Sequence, residues 1–498
     1  MQLVIDIALS LIYFCIFLLV CAWAWRFWKM YITQKHFSGL DWVMLEIKLP
    51  REIFKSPYAT EVAISSLLQT GGVGTWYARE IKGAMPVFAS LEIASTEGII
   101  HFYVRIQRKF RPLVESNFYA QYPGIEITEA QDYTSVLQYH HLTKDVAMWG
   151  ESYKLDASWE PWNWEKGERY VDPKDSSKKY SMKADFLPIK TYVDYGLDKD
   201  PKEEFKIEPL APLLETMGSL GKGEHLWYQV LLQSEALYNG TKMPKMYHNE
   251  VTHEAMSLSK MVEEFKKSIR VEGFTPAGQM ITEKIDIDEN GNPVPKKVLN
   301  EEPIVKTKKE MDLSTDDKDK LESINKKLAK PIASAIIRLM YVVDKNKASF
   351  NPALIQNILA FPKPFEGRFN KLTMGKTSDP YEYPWENFRN RRVPWRSEEF
   401  FEAYVEREGF FPHIEGRDSL DKLEDTFFWG FSMKTRKTWR MLFEAIMFPF
   451  HHPHADEITA LNMEEVATIW HLPGAIITTP TLPRIDSAKA VAPVNLPQ

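Results

Sequence analysis

A run of nineteen residues without a formal charge, Ile7 to Trp25 (IALSLIYFCIFLLVCAWAW), constrains this chain more than any other stretch. As a helix rising 1.5 Å per residue it would span roughly 28 Å, close to the hydrocarbon thickness of a bilayer. Trp23, Trp25 and Trp28 form an aromatic belt at its C-terminal end, with Arg26, Lys29 and Lys35 beside them, whereas the flank MQLVID carries no Lys or Arg. That asymmetry predicts a single-pass anchor within residues 1–30, the N-terminus outside and the body cytoplasmic, with Trp23, Trp25, Arg26, Trp28 and Lys29 at the lipid interface. A cleaved signal peptide would want a positive n-region and a small-x-small site, and a lipoprotein signal a small residue where Val20 precedes Cys21. The two cysteines, Cys15 and Cys21, both lie in this run. On a helix they point about 120° apart, which argues against a bridge.

The rest of the 498 residues has a globular composition, 44% hydrophobic and 26% charged, with room for roughly two to four domains. A net charge of −6 argues against a bulk affinity for nucleic-acid phosphate and leaves a local basic patch open.

From Trp42 onward the hydrophobic period switches regularly. WVMLEIKLP alternates as a strand, and SPYATEVAISSLL sets Ala59, Val62, Ala63 and Leu67 on one helical face. PVFASLEIAS and IIHFYVRI are strands joined by the hairpin signal Thr96-Glu97-Gly98, RKFRPLVESNFYAQY is a helix, and GIEITEA closes as a strand. The order β-α-β-β-α-β over 41–132 predicts a ferredoxin-like unit. A Trp-rich connector follows over 133–185.

A second ferredoxin-like unit is expected over 186–375. It opens with a strand at Phe186–Tyr195, and a partly helical insertion at about 240–330 interrupts its hairpin. Within that insertion DENGNPVPKK reads as loop or disorder. A helical C-terminal region over 376–474 and a Pro-rich extended tail over 475–498 complete an α+β chain.

Signatures of chemistry are sparse. GSLGKGE lacks the phosphate-loop spacing and precedes a strand instead of opening a helix, so a helix C-cap is the better reading. QTGGVGTW is a lone glycine loop. FHHPHADE groups His451, His452, His454 and Asp456, but a zinc site usually draws on two distant ligand pairs, and a solvated loop is the plainer account. Glu398-Glu399 and Glu464-Glu465 are adjacent on helices and do not share a face. No catalytic residue, cofactor or metal is expected, and the protein is read as non-enzymatic.

Three stretches taken together resemble a known family: SLEIAS…IHFYVR…FRPLVESNFYAQYPGIEI, PIKTYVDYGLDKDP…GEHLWYQVLLQ, and LNMEEVATIWHLPG…TPTLPRIDSAKAVAPVNLP. They are similar to the membrane-anchored N-terminal region of certain bacterial type IV secretion or conjugation-like DNA-translocating ATPases. In those proteins the part matching Leu461–Pro497 leads into the motor domain. The resemblance covers Trp42 to the C-terminus apart from the insertion, and it rests on packing patterns. No motor sequence lies before Gln498, so no nucleotide-binding residue carries over.

The resemblance implies a membrane scaffold docking a separately encoded P-loop motor ATPase through the tail, with Leu482, Pro483, Arg484 and Pro493 as candidate contacts. An inert tail is the alternative. A second function is nucleic-acid handling by Phe102, Arg105, Arg108, Lys109 and Arg111, a locally basic aromatic segment. A membrane-tethered enzyme is a third. Homo-oligomerisation is left open.

Overall fold

Ten of the described strands join into one sheet, and the others form separate two-stranded pairs. The computed structural model describes residues 41–50, 55–67, most of 75–140 and 144–198, 207–234, 247–249, 254–275, 280–287, 293–299, 303–379, 392–410, 458–474 and 483–485, with scattered positions between 10 and 40.

The first half of the sheet is built from β1 (Trp42–Pro50), α1 (Pro57–Leu67), β2 (Phe88–Thr96), β3 (Ile99–Gln107), α2 (Arg111–Gln121) and β4 (Glu126–Ala130). The second half uses β5 (Val146–Leu155), α3 (Ala211–Gly218), β6 (Glu224–Ser234), β7 (Ile332–Asp344), α6 (Pro352–Ala360) and β8 (Leu372–Thr377). Between β6 and β7 lie α4 (Leu258–Ile269) and α5 (Thr315–Leu328). After β8 come α7 (Arg392–Val405), β9 (Thr459–Asn462), α8 (Met463–Ile469) and the two-residue β10 (Arg484–Ile485).

Strands run β4-β1-β3-β2 in one half and β8-β5-β7-β6 in the other, the same split order of a β-α-β-β-α-β chain. The halves join edge to edge through β2 and β6, antiparallel from Phe88 opposite Gln233 to Thr96 opposite His225. The β2–β3 turn is two residues long, with Thr96 opposite Ile99. Glu97 and Gly98 both take positive φ, 52° and 89°, as the tight hairpin turn that matches strand twist requires.

Strand character follows burial. Every residue of β7 from Ile332 to Val343 is buried, because helices cover one face and α7 the other. Ala63, Ile64, Val114, Phe118, Leu213, Leu214, Ile358, Val466 and Ile469 cover the first face. Phe400, Phe401 and Tyr404 of α7 lie on the second, against Trp227, Met340 and Tyr133. A separate core holds the insertion, where Met261, Val262 and Phe265 of α4 and Ile324 of α5 meet Trp159, Phe186 and Leu187.

The architecture corrects several expectations. Among the described residues no helix is long and apolar enough to cross a membrane, which takes about 20 consecutive apolar residues in one helix. Within Ile7 to Trp25 the described residues are Ser10, Tyr13, Phe14, Ile16, Phe17, Val20, Cys21, Ala24 and Trp25, all helical and exposed. The transmembrane anchor, the fold description that began with it and the single-pass membrane localisation are therefore corrected. Trp25 and Trp28 are exposed helical residues, while Trp23, Arg26 and Lys29 lie outside the described residues.

The second half does not open at Phe186–Tyr195, which carries turns and no strand; β5, inside the expected connector, is its first strand. In the insertion, Met280–Ile287 pairs antiparallel with Pro293–Leu299, so part of the DENGNPVPKK stretch is a hairpin strand. Of the C-terminal helical region, α7 and α8 are described; residues 411–457, with the histidines at 451, 452 and 454, lie outside.

Candidate functional site

Opposite residues in neighbouring strands share a face, so the ladder register shows what the sheet presents to α7. Thr128 of β4 stands opposite Glu46, Glu46 opposite Tyr103, and Tyr103 opposite Glu92. Glu92 in turn faces Gln229, Gln229 faces Arg338, and Arg338 faces Ser152 of β5. One polar row thus crosses the sheet beneath α7.

Much of the row is engaged by α7, the turn after it and neighbouring strands, while the Gln229 Oε1 is buried without a hydrogen-bond partner. Glu92, fully buried on β2, receives Nε of Arg407 at 3.1 Å and Nη2 at 3.0 Å. Ser90 Oγ donates to the same carboxylate, and Gln229 Nε2 does so at 3.3 Å. The other side of the guanidinium meets Asp132, at 2.6 and 3.0 Å. Arg338 donates to the Ala403 carbonyl at 3.1 Å, and Ser152 Oγ accepts from the Lys376 amide at 2.6 Å. Tyr133 and Tyr404 share a hydroxyl hydrogen bond of 3.0 Å, and the Tyr133 ring stacks on Tyr103 at 5.2 Å.

Arg407 reaches this position through an unusual backbone. The Glu408 amide donates to the Ala403 carbonyl at 2.9 Å and the Arg407 amide to Tyr404 at 3.1 Å, the paired bonds that end a helix with a left-handed residue. That residue is normally Gly, and here it is Arg407 at φ 53°. A side chain there costs about 1–2 kcal/mol, which the two carboxylates offset.

Electrostatics fit a clamp. Burial alone would raise the Glu92 carboxyl, but the Arg407 guanidinium outweighs it and holds the group below the usual carboxylate range. Asp132 is lowered in the same way, burial again opposing Arg407. Burial pushes the Tyr133 and Tyr404 phenols well above their ordinary value. An ionised, fully engaged carboxylate between phenols that keep their protons has little to offer as a base or nucleophile. What it can do is fix α7 to the sheet.

A pH dependence follows. Both carboxyls are lowered on folding, so their contribution is complete above their unfolded values of 4.5 and 3.8 and is lost as pH falls below them. Protection of the 392–407 amides, relative to their intrinsic exchange at each pH, is expected to fall between pH 5 and 3 more than in β7. Equal protection of the two segments across that range would refute the clamp.

A second cluster seats the C-terminal element. β9 pairs with β7 from Ile332 opposite Asn462 to Ala335 opposite Thr459. α8 opens with a capping box, the Asn462 side chain accepting from the Glu465 amide at 2.8 Å and Glu465 accepting from the Asn462 amide at 2.8 Å. Glu465 also takes the Ile189 amide at 3.0 Å and pairs with Lys327 at 2.9 Å, both side chains fully buried. Lys330 bridges Glu61 at 2.7 Å and Glu464 at 2.8 Å. His471 lies between the Ala467 carbonyl at 2.8 Å and Glu208 at 2.7 Å. Trp470 stands edge-on to Phe102 and Phe118.

The candidate nucleic-acid residues are not brought together as a basic surface. Phe102 is buried in the core, and Arg105 packs its guanidinium over Trp42 at 4.7 Å. Burial lowers that guanidinium to about 10. Arg108 pairs with Asp41 and Glu129, Arg111 with Glu115 and Glu129, and Lys109 lies over Phe110. Acidic neighbours thus occupy Arg108 and Arg111, two of the charges that a phosphate backbone would need.

Of the tail candidates, Pro483 is exposed and Arg484 is half-buried in β10, while Leu482 and Pro493 lie outside the described residues. GSLGKGE is the end of α3 followed by a turn into β6. No group of three His, Cys, Asp or Glu residues is placed to hold a metal among the described residues. Sequence reasoning missed Glu92, Asp132, Gln229, Arg338 and Arg407; the signal for Glu92, Gln229 and Arg338 lies in the register, which a single strand does not reveal, and Asp132 and Arg407 lie outside the strands.

Comparison with family models, with curated proteins and with solved structures finds no match.

Proposed function

We propose that the protein is a non-enzymatic scaffold that presents its C-terminal segment to a partner, a P-loop motor ATPase of the secretion or conjugation class that the sequence resemblance implies. The observation that carries this reading is the seating of β9 and α8. A β-strand pairing, a capping box and the buried Lys327–Glu465 pair root the element between the sheet and α5. A segment that must transmit position or load needs such a root. His471 and Trp470 extend it to the last turn before Pro473 and Gly474.

The test is capture of a purified conjugation-class motor ATPase by the full chain and by a chain ending after Gly474. The full chain is expected to retain the ATPase and the shortened one to lose at least tenfold in affinity. Undiminished capture by the shortened chain would remove the reading.

A further inference from the structure

His225 is buried in the middle of the sheet, 2% exposed, and its Nδ1 has no hydrogen-bond partner. On β6 it stands between Thr96 of β2 and Val342 of β7, at the seam where the two halves join. Its ring meets that of Trp227 edge-on at 6.2 Å, on the face that α7 covers. A neutral imidazole can leave one nitrogen unbonded at modest cost, whereas an imidazolium buried there needs an acceptor for each N–H.

Three turns meet at this end of the seam. The Glu97 amide donates to the Glu224 carbonyl at 3.0 Å, and the Asp344 amide to the Gly223 carbonyl at 2.9 Å. The Gly223 amide donates to the Glu97 carboxylate at 3.0 Å, and Lys347 lies 3.9 Å from Glu97 and 3.5 Å from Asp344. The packing is tight: a Cβ on Gly223, at φ 79°, would come within 2.6 Å of the Lys347 side chain. The same three turns supply the charges that act on His225. Burial holds the ring below its ordinary 6.5; Glu97 and Asp344 oppose this without reversing it, and Lys347 reinforces it. The adjacent Glu224 is turned to the other face, where it accepts from the Tyr341 hydroxyl at 2.6 Å.

We infer that His225 is an acid-operated switch at the seam: protonation of its buried ring loosens the three turns and frays the β2–β6 and β6–β7 ladders from that end. Folding favours the neutral ring, so the fold carries no penalty above the unfolded value of 6.5 and loses stability as pH falls below it. The clamp carboxyls of Glu92 and Asp132 respond only below 4.5, which separates the two effects. The switch does not depend on the scaffold reading.

The experiment follows amide protection in the full chain, relative to intrinsic exchange at each pH, from pH 7.5 to 5.0. Residues 96–98, 223–226 and 342–348 report on the seam end, and 335–340 of β7 serve as the reference. Protection at the seam end is expected to fall about fivefold relative to the reference. His225→Gln, which takes up no proton, should abolish that fall. Lys347 is largely exposed, and Lys347→Met removes a repelling cation, so it should move the transition to higher pH. Seam-end protection that holds to pH 5.0 in the wild type overturns the inference, and so does a wild-type dependence in H225Q. Should H225Q fail to fold, the Lys347→Met transition decides, because a midpoint equal to that of the wild type overturns it as well.

Discussion

Replacing Arg407 by alanine is expected to lower stability by about 3–5 kcal/mol, the usual cost of leaving a buried charge without its partner. Glu92 has no exposed surface and would keep Ser90, Gln229 and Tyr133 as donors, none of them charged. Asp132, about one-third exposed, is better solvated and adds less. Against a typical total of about 5–15 kcal/mol, such a loss should be plain in a urea midpoint. Two companion variants separate charge from backbone. Arg407→Gly suits the left-handed φ, so it should be less damaging than alanine by about 1 kcal/mol. Glu92→Gln combined with Arg407→Met removes both charges and should recover most of the loss. An alanine variant within about 1 kcal/mol of wild type would mean that the guanidinium does not clamp α7.

The clamp illustrates what a single sequence hides. Arg407 lies 315 residues from Glu92 and 275 from Asp132, and neither separation leaves a local trace. In SLEIAS, Glu92 reads as the outward residue of a half-exposed strand, yet β2 is buried on both faces from Phe88 to Ser95. By contrast, the elements of the first half were legible because each carries its own period and punctuation. The positive φ of Glu97 and Gly98 sits where the Thr96-Glu97-Gly98 signal places a turn.

The second half was harder because its first strand and first helix are separated by a long excursion. β5 ends at Leu155 and α3 begins at Ala211. Within that gap Leu187, Ile189 and Thr191 are buried at alternate positions, which suggested the missing strand. The backbone there takes side-chain partners instead of a ladder: the Ile189 amide donates to Glu465 and the Tyr192 amide to Thr468. A buried segment must satisfy its amides, and side chains can do so in place of a neighbouring strand. β8 escaped notice for the opposite reason, since it is short, irregular after Met374 and buried chiefly at Leu372.

Replacing Glu465 by alanine should be as damaging as any single change outside the clamp. It leaves the Lys327 ammonium fully buried without its carboxylate, at about 3–5 kcal/mol. It also removes the capping box, at about 1 kcal/mol, and leaves the Ile189 amide without an acceptor. The expected readout is local: faster exchange and proteolysis across 459–472 before global unfolding. Acid distinguishes this cluster from the clamp. Burial, only partly opposed by Lys327, holds the Glu465 carboxyl above its ordinary 4.5, so its ionised form burdens the fold. That burden is lifted as pH falls through the raised value and is gone below 4.5. Lowering pH from 7 to 3 should therefore loosen α7 while α8 stays protected, and Glu465→Gln should flatten the dependence at α8 alone. Parallel loss of protection at the two helices would show that they unfold as one unit and that α8 is not an independently held root.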